Sequence, residues 1–535
     1  MAESGSKLYL GLDFSTQQIK ATIIDDSLEL LLGDFDTSVS FDDLRQYNTS
    51  GGVIRHEDGR TVTAPTIMWV EALDILLNKL KSLNFPFEKV AGISSSGQQH
   101  GSVYWRKGSE EVLKSLEPSQ TLASQLQSVF SIPQSPIWMD SSTTEQCKQL
   151  EQQCGGSLVV AKKTGSRAYE RFTGNQIAKL NIVDTVNLRD TERISLVSSF
   201  GVTLFAGNYA PIDYSDGSGM NLLDIQSKNW WQEALDVCCP NLKDLLGEPV
   251  PSNTVVGNIS DYYVKKYGFS PDCKIVAGTG DNPSSLAGMT LQEGDVEVSL
   301  GTSDTVFLWI TEADPQLMGH VFVNPVDSLA FMALLCYKNG SLTRQRIRDQ
   351  CSNGDWTEFE QLLASTNPGN GGCIGFYYDD PEITPPVVGV HRFSSDDTPV
   401  DSFTPETEVR AVVEGQFLAK YIHACSLGYR ITPSSRILAT GGAAENKQIL
   451  QILANVFNAC VYTGVTTSSA SLGAAYRAKH ALMEPGTSFE TIGQLARSVY
   501  PYSLGVEPQR DVHEKVYQPM AERVESLLAQ LPTFQ

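Results

Sequence analysis

Positive charge is scarce: 40 Lys plus Arg stand against 62 Asp plus Glu, a formal net charge of -22 over 535 residues. No basic tract interrupts the acidic background, which argues against nucleic acid and anionic membranes as partners. Long apolar runs are missing too. The longest, such as Phe331 to Tyr337, fall far short of the roughly 20 residues a spanning helix needs. The first residues, Met1 to Lys7, carry no apolar signal core, and the ten cysteines form no Cys-x-x-Cys pair. Structural zinc is not expected, and a reducing cytoplasm is the expected compartment. The common nucleotide motifs are absent as well: no Gly-x4-Gly-Lys-Ser/Thr loop, no Gly-x-Gly-x-x-Gly opening a helix after a strand, no His-Arg-Asp with Asp-Phe-Gly. An anionic ligand would need backbone amides, helix N-termini or a metal ion to overcome the negative field.

What is present reads as an α/β chain, 41% hydrophobic and long enough for two or more cores. An apolar strand through Leu12, a polar turn at Ser15 to Gln18 and a strand from Lys20 to Ile24 make a hairpin pattern. Val296 to Ile310 repeats it around a Gly-Thr-Ser-Asp turn, which suggests a duplicated architecture. Apolar strands run into small-residue turns at Val90 to His100, Cys273 to Pro283 and Arg436 to Asn446. Ser142 with Glu145 fits a capping box, and Asn282-Pro283 fits an N-cap followed by proline at the first helical position. Glu408 to Gly428 has a helical apolar face, while 366–372 and 379–386 read as surface loops. The domain boundary is placed near Leu291, giving units 1–290 and 291–535.

The two turns, Asp13 to Gln18 and Gly301 to Asp304, put small polar residues and open amides at strand ends. Such turns can hold phosphate oxygens without a lysine. Either alone is equally an ordinary β-turn. Asp281, in the turn from Gly278 to Pro283, suits a proton acceptor and equally a helix start. His100 after Gly97-Gln-Gln, and Arg171 within Arg167 to Lys179, can hydrogen-bond several hydroxyls at once.

In combination, from about Leu8 to about His480, these motifs resemble the FGGY family of carbohydrate kinases, built from two duplicated ribonuclease-H-like domains of the actin and sugar-kinase superfamily. The resemblance implies ATP in an interdomain cleft, with Asp13 helping to hold magnesium. It implies that Thr16, Gln17, Gly301, Thr302 and Ser303 approach the phosphates, and that Gly441, Gly442, Ala443 and Asn446 lie against the adenosine. Trp356 matches a tryptophan bordering the adenine, though a lone Trp is also a packing anchor. Asp281 would be the base, and His100, Arg171, Asp281 and Asn282 would bind the sugar. The implied reaction is transfer of the γ-phosphoryl group to the terminal hydroxyl of a ketose, D-xylulose first. Ribulose or glycerol is the nearest alternative acceptor. An actin-like or chaperone-like ATPase, or an idle sensor on the same scaffold, is the alternative of another class.

Overall fold

The computed structural model describes residues 6–31, 37–432, 434–464 and 468–533. The chain forms two compact units. The first comprises Met1–Thr290, Phe322–Leu329 and Thr466–Tyr500; the second comprises Leu291–Val321, Ala330–Val465 and Pro501–Gln535. Late segments of the chain thus return to the first unit.

The first unit is built on β1 (Leu8–Phe14), β2 (Gln18–Asp25), β3 (Ser38–Ser40), β4 (Val90–Gly97), β5 (Val255–Asn258), β6 (Lys274–Val276) and β7 (Thr279–Gly280), in the order β5-β6-β4-β1-β2-β3 with β7 beside β4. Alternation sorts the two faces of β1. Leu8, Leu10, Leu12 and Phe14 enter the main core with Trp69 and Phe200, while Tyr9 joins a smaller cluster with Ala475 and Tyr476. Each buried leucine contributes about 1.5–3 kcal/mol. Asp13 falls on the Tyr9 face by period alone. The helices α1 (Thr66–Ser82), α2 (Thr144–Gln153), α3 (Thr173–Val183), α4 (Val197–Ala206) and α5 (Asp281–Gly288) belong to this unit, as does the returning helix Ser469–His480.

The second unit holds β8 (Val296–Leu300), β9 (Asp304–Ile310), β10 (Phe331–Tyr337), β11 (Arg436–Thr440), β12 (Cys460–Thr463) and β13 (Ser503–Val506), in the order β10-β9-β8-β11-β12-β13. Its helices include α6 (Ser341–Cys351), α7 (Trp356–Ala364), α8 (Pro405–Ser426) and α9 (Lys447–Phe457). The two sheets share one pairing pattern. β1 and β8 each open an antiparallel three-strand meander, each pair in parallel with a later strand, and that strand pairs in parallel with another before an antiparallel edge. The duplication expected from the two hairpins is present in this pairing pattern, although the antiparallel edge strand precedes its partner in the chain in the first sheet (β5 before β6) and follows it in the second (β13 after β12).

Several local expectations are corrected. β1 continues past Asp13 to Phe14, because Asp13 pairs with Lys20 and Ser96 inside the ladders and Phe14 fills the core. The Ser142 capping box does not form: the Ser142 hydroxyl donates to Asp140 Oδ1 at 2.5 Å, and α2 begins after Thr143 with no side-chain cap. Asn282 is not an N-cap either; Gly280 holds that position, and the helix starts on Asp281 itself. The 379–386 segment is only partly surface. Glu382 is buried, and its carboxylate accepts from the Lys338, Asn339 and Ile383 amides and from Asn339 Nδ2.

Candidate active site

In the first unit the β1–β2 hairpin presents Asp13 directly opposite Lys20, with Ser96 of β4 on its other side. Asp13 Oδ1 is buried and has no hydrogen-bond partner. Burial, then the negative charge of Asp281, pushes the Asp13 carboxyl up to about 7, against the Ser96 hydroxyl and the Lys20 cation, which pull it down. The structure thus brings together two carboxylates that the chain separates widely. Lys20 also donates to the Ser468 hydroxyl at the start of the returning helix. The turn between the strands is pinned. Thr16 Oγ1 accepts from Trp138 Nε1 at 2.8 Å, and the Gln17 carbonyl accepts from the Phe41 amide at 2.9 Å, while the Gln17 side chain is exposed.

Asp281 is placed by helix packing. A Cβ at Gly473 would lie 1.8 Å from the Ser284 carbonyl oxygen, and one at Gly288 would lie 2.0 Å from that of Ser469. Only glycine lets α5 and the returning helix approach backbone to backbone, which fixes the α5 N-terminus at the strand ends. Asp281 Oδ1 accepts from the Asn282 amide at 2.9 Å and from the Gln99 amide at 3.3 Å. A helix start should favour the ionised form. Here burial outweighs those N–H groups and raises the carboxyl to about 6, so Asp281 is a better base than its helix position suggests.

His100 sits at a φ of 69°, in the left-handed region, and is buried. Its ring stacks on Phe172 with centroids 4.3 Å apart, and Nδ1 donates to the Gly219 carbonyl at 2.8 Å. A carbonyl can only accept, so Nδ1 carries the proton and Nε2 presents a lone pair. Burial first, then the Arg171 charge, lowers the imidazolium to about 3 despite the Gly219 bond, so this ring is neutral at working pH. Arg171 lies just before α3, its guanidinium 5.2 Å from the Tyr169 ring centroid and 5.9 Å from that of Phe172. Phe172 therefore packs against both proposed sugar ligands. Their electrostatic coupling places His100 and Arg171 in one neighbourhood, as the sequence suggests.

In the second unit, Gly301, Thr302 and Ser303 form the short link between β8 and β9, with Thr302 and Ser303 exposed. Gly441 lies against the start of that link: a Cβ there would be 2.7 Å from the Leu300 carbonyl oxygen and 3.2 Å from the Gly301 nitrogen, at a φ of 83°. A Cβ at Gly442 would meet nothing within 4 Å. Gly441→Ala is therefore expected to cost about 1–3 kcal/mol of stability and Gly442→Ala almost none, read by denaturant unfolding. Ala443 lies in the single turn that follows, and Asn446 caps α9, its Oδ1 accepting from the Ile449 amide at 3.0 Å. Trp356 opens α7, which touches α9; its half-exposed ring lies under Arg348, 4.8 Å from the guanidinium carbon. Asp304, read as part of the polar tip, is instead the fully buried first residue of β9.

The sequence reading missed Lys20, Ser96, Gln99, Asp216 and the partners of Asp304. Only Lys20 had a local signal, since a hairpin centred on residues 15–18 puts residue 20 opposite Asp13. Trp138, which holds Thr16, had none.

With two duplicated α/β units and a half-buried pair of carboxylates at a strand tip and a helix start, the class is that of a sugar kinase. The chain belongs to the FGGY family of carbohydrate kinases: the family's N-terminal domain matches residues 131–288 and its C-terminal domain residues 296–482. It is 55% identical to the xylulose kinase of Rattus norvegicus over 510 residues, 95% of this chain and 94% of that one. It is 50% identical to xylulose kinase 2 of Arabidopsis thaliana, covering 88% of this chain and 87% of the relative. The solved xylulose kinase of Rhodospirillum rubrum covers 98% of both chains with a TM-score of 0.78 at 14% identity, a likeness of fold. Among the described residues, no helix is long and apolar enough to cross a membrane.

Proposed function

We propose that this carbohydrate kinase transfers the γ-phosphoryl group of ATP to the terminal hydroxyl of D-xylulose, giving D-xylulose 5-phosphate, and works in the cytoplasm. The observation that carries the reading is the nearness of Asp13 and Asp281: Asp13 pairs with Ser96 on β4, and Gly280, just before Asp281, pairs with Gly97, so two half-buried carboxyl groups flank the end of one strand. Two such acids need a ligand that repays their desolvation. The sugar is chosen from the names of the relatives, xylulose kinases at 55% and 50% identity. Phosphorus NMR of the product should give a phosphomonoester on the terminal carbon; phosphate on any other carbon would contradict the reading.

Residues 1–290 are taken to supply the sugar site and the first phosphate turn, and 291–535 the second phosphate turn and the adenosine site. His100 Nε2 accepts from a sugar hydroxyl, Arg171 donates to sugar oxygens, and Asp281 receives the proton of the attacking hydroxyl on its carboxylate. Phosphoryl transfer through a loose transition state asks chiefly for such positioning. Thr16, Gln17 and the 301–303 link offer hydroxyls and amides to the phosphates, and the open space at Gly442 lets backbone approach the nucleotide. Trp356 is kept as a border of the adenine.

Magnesium fits Asp13 on the chemistry of the site. Its Oδ1 is a buried, unpartnered hard oxygen, and no group of three or more potential ligands exists among the described residues, as suits an ion that keeps waters and takes phosphate oxygens. Bound there, the ion would supply positive charge to the phosphates. Asp13→Ala is expected to raise the magnesium concentration for half-maximal rate by about tenfold or more. An unchanged magnesium titration would remove Asp13 as ligand.

A further inference from the structure

Unpartnered buried polar atoms gather in one region of the first unit. Asp13 Oδ1, Ser96 Oγ, Gln98 Oε1, Gln99 Nε2 and Asp216 Oδ1 all lack a well-aligned hydrogen-bond partner, although Ser96 lies beside Asp13 and Gln99 beside Asp216. An unpartnered buried polar atom is costly, so a cluster marks a place arranged for something other than stability. Asp13 belongs to the β1–β2 hairpin and Ser96 to β4 beside it, both already described. Gln99 and Asp216 have no assigned role.

Gln99 is buried, and three of its contacts bear on the proposed sugar ligands. Its Oε1 accepts from Asn282 Nδ2 at 2.8 Å, its amide donates to Asp281 Oδ1 at 3.3 Å, and it precedes His100 in the chain. Its side chain shares a tight space with Asp216. A Cβ at Gly280 would lie 2.4 Å from Gln99 Cγ and 2.7 Å from Asp216 Oδ1. Asp216 is held from behind, its Oδ2 accepting from the Ser198 hydroxyl at 2.5 Å. Burial foremost, with the charges of Asp213 and Asp281, keeps its carboxyl well above the ordinary range.

An asparagine amide can present either end to a ligand, and the two ends are opposite in sign. Here Gln99 Oε1 engages the Asn282 NH2 group. We infer that Gln99, backed by Asp216, is a positioning residue that turns the Asn282 carbonyl oxygen toward the sugar, so that Asn282 acts as a hydrogen-bond acceptor. With His100 Nε2 and Asp281, the sugar then meets three acceptors, which suits a run of hydroxyl donors, while Arg171 is left to serve oxygens that can only accept, such as a ketone. This inference rests on the proposed sugar site.

The test is a pair of single variants and their combination, assayed as the full-length enzyme with D-xylulose and ATP. Gln99→Met keeps the bulk and removes the acceptor. It is expected to raise the sugar KM about tenfold, the worth of one well-placed hydrogen bond, with kcat within about threefold and the ATP KM unchanged. Gln99→Glu keeps an acceptor for Asn282 Nδ2 and is expected to recover most of that KM; it also serves if the methionine variant folds poorly. In an Asn282→Ala background Gln99→Met should add almost nothing, because the two act as one unit. An unchanged sugar KM in Gln99→Met, or fully additive losses in the double variant, would overturn the inference while leaving the sugar site standing. An unchanged sugar KM in Asn282→Ala alone would overturn the sugar site itself.

Discussion

Asp281→Asn is expected to lower kcat by about a thousandfold while changing sugar binding little. General-base removal costs about 10²- to 10⁴-fold, and the amide keeps the carboxylate's shape and its bonds from the Gln99 and Asn282 amides. The pH profile supplies an independent reading. With the folded-state pKa raised to about 6, the basic form is lost as pH falls below that value, so the wild-type rate should drop about tenfold per pH unit there. The residual rate of the variant should lack that limb. Folding moves the other way. A carboxyl raised from 3.8 to about 6 is a cost absent below its unfolded pKa and fully present above about 6, so the neutral amide should melt no lower than wild type at pH 8. A variant that is inactive because it is unfolded would contradict this. So would one with wild-type turnover, by a different route.

The second large effect falls on stability. Asp304→Ala is expected to destabilise the second unit by about 3–5 kcal/mol. Asp304 has no exposed surface and receives Arg344 through two bonds, at 2.8 and 2.9 Å, with Lys420 Nζ at 3.0 Å. Burial pushes this carboxyl up, but the Arg344 and Lys420 cations outweigh it and hold it below the ordinary range. Removing Asp304 would leave both buried cations without the carboxylate that pairs them. The same group braces the proposed phosphate link, since a Cβ at Gly340 would lie 2.7 Å from Asp304 Oδ1 and 2.8 Å from the Thr302 carbonyl oxygen, and the Ser341 amide donates to Gly301 O at 3.0 Å. Denaturant unfolding checks the effect. The exposed Arg430–Glu312 pair is the control: Glu312→Ala should stay within about 0.5 kcal/mol. Equal, small losses in both variants would show that the buried triad carries no stability.

The hairpins, their duplication and the small-residue turns were legible in the sequence because each depends on local period and turn chemistry. The same kind of signal misled where a nearer partner captured the side chain: Asp140 takes the Ser142 hydroxyl, and Gln99 takes the Asn282 amide. The Asp304 triad was hidden for another reason. Its members come from a strand and two helices far apart in the chain, and nothing local marks a Lys within a helix as buried. His100 was found by resemblance. That it is neutral and offers Nε2 follows only from the Gly219 carbonyl and the packing of Phe172 around it.

The most direct measurement is ADP release by the full chain with ATP and magnesium, compared across D-xylulose, ribulose, glycerol and no sugar. Rapid release with D-xylulose, slower release with the other acceptors and almost none without sugar is the expected result. ADP release at the same rate with and without sugar, or fastest with glycerol, would contradict the assignment of a xylulose-phosphorylating site.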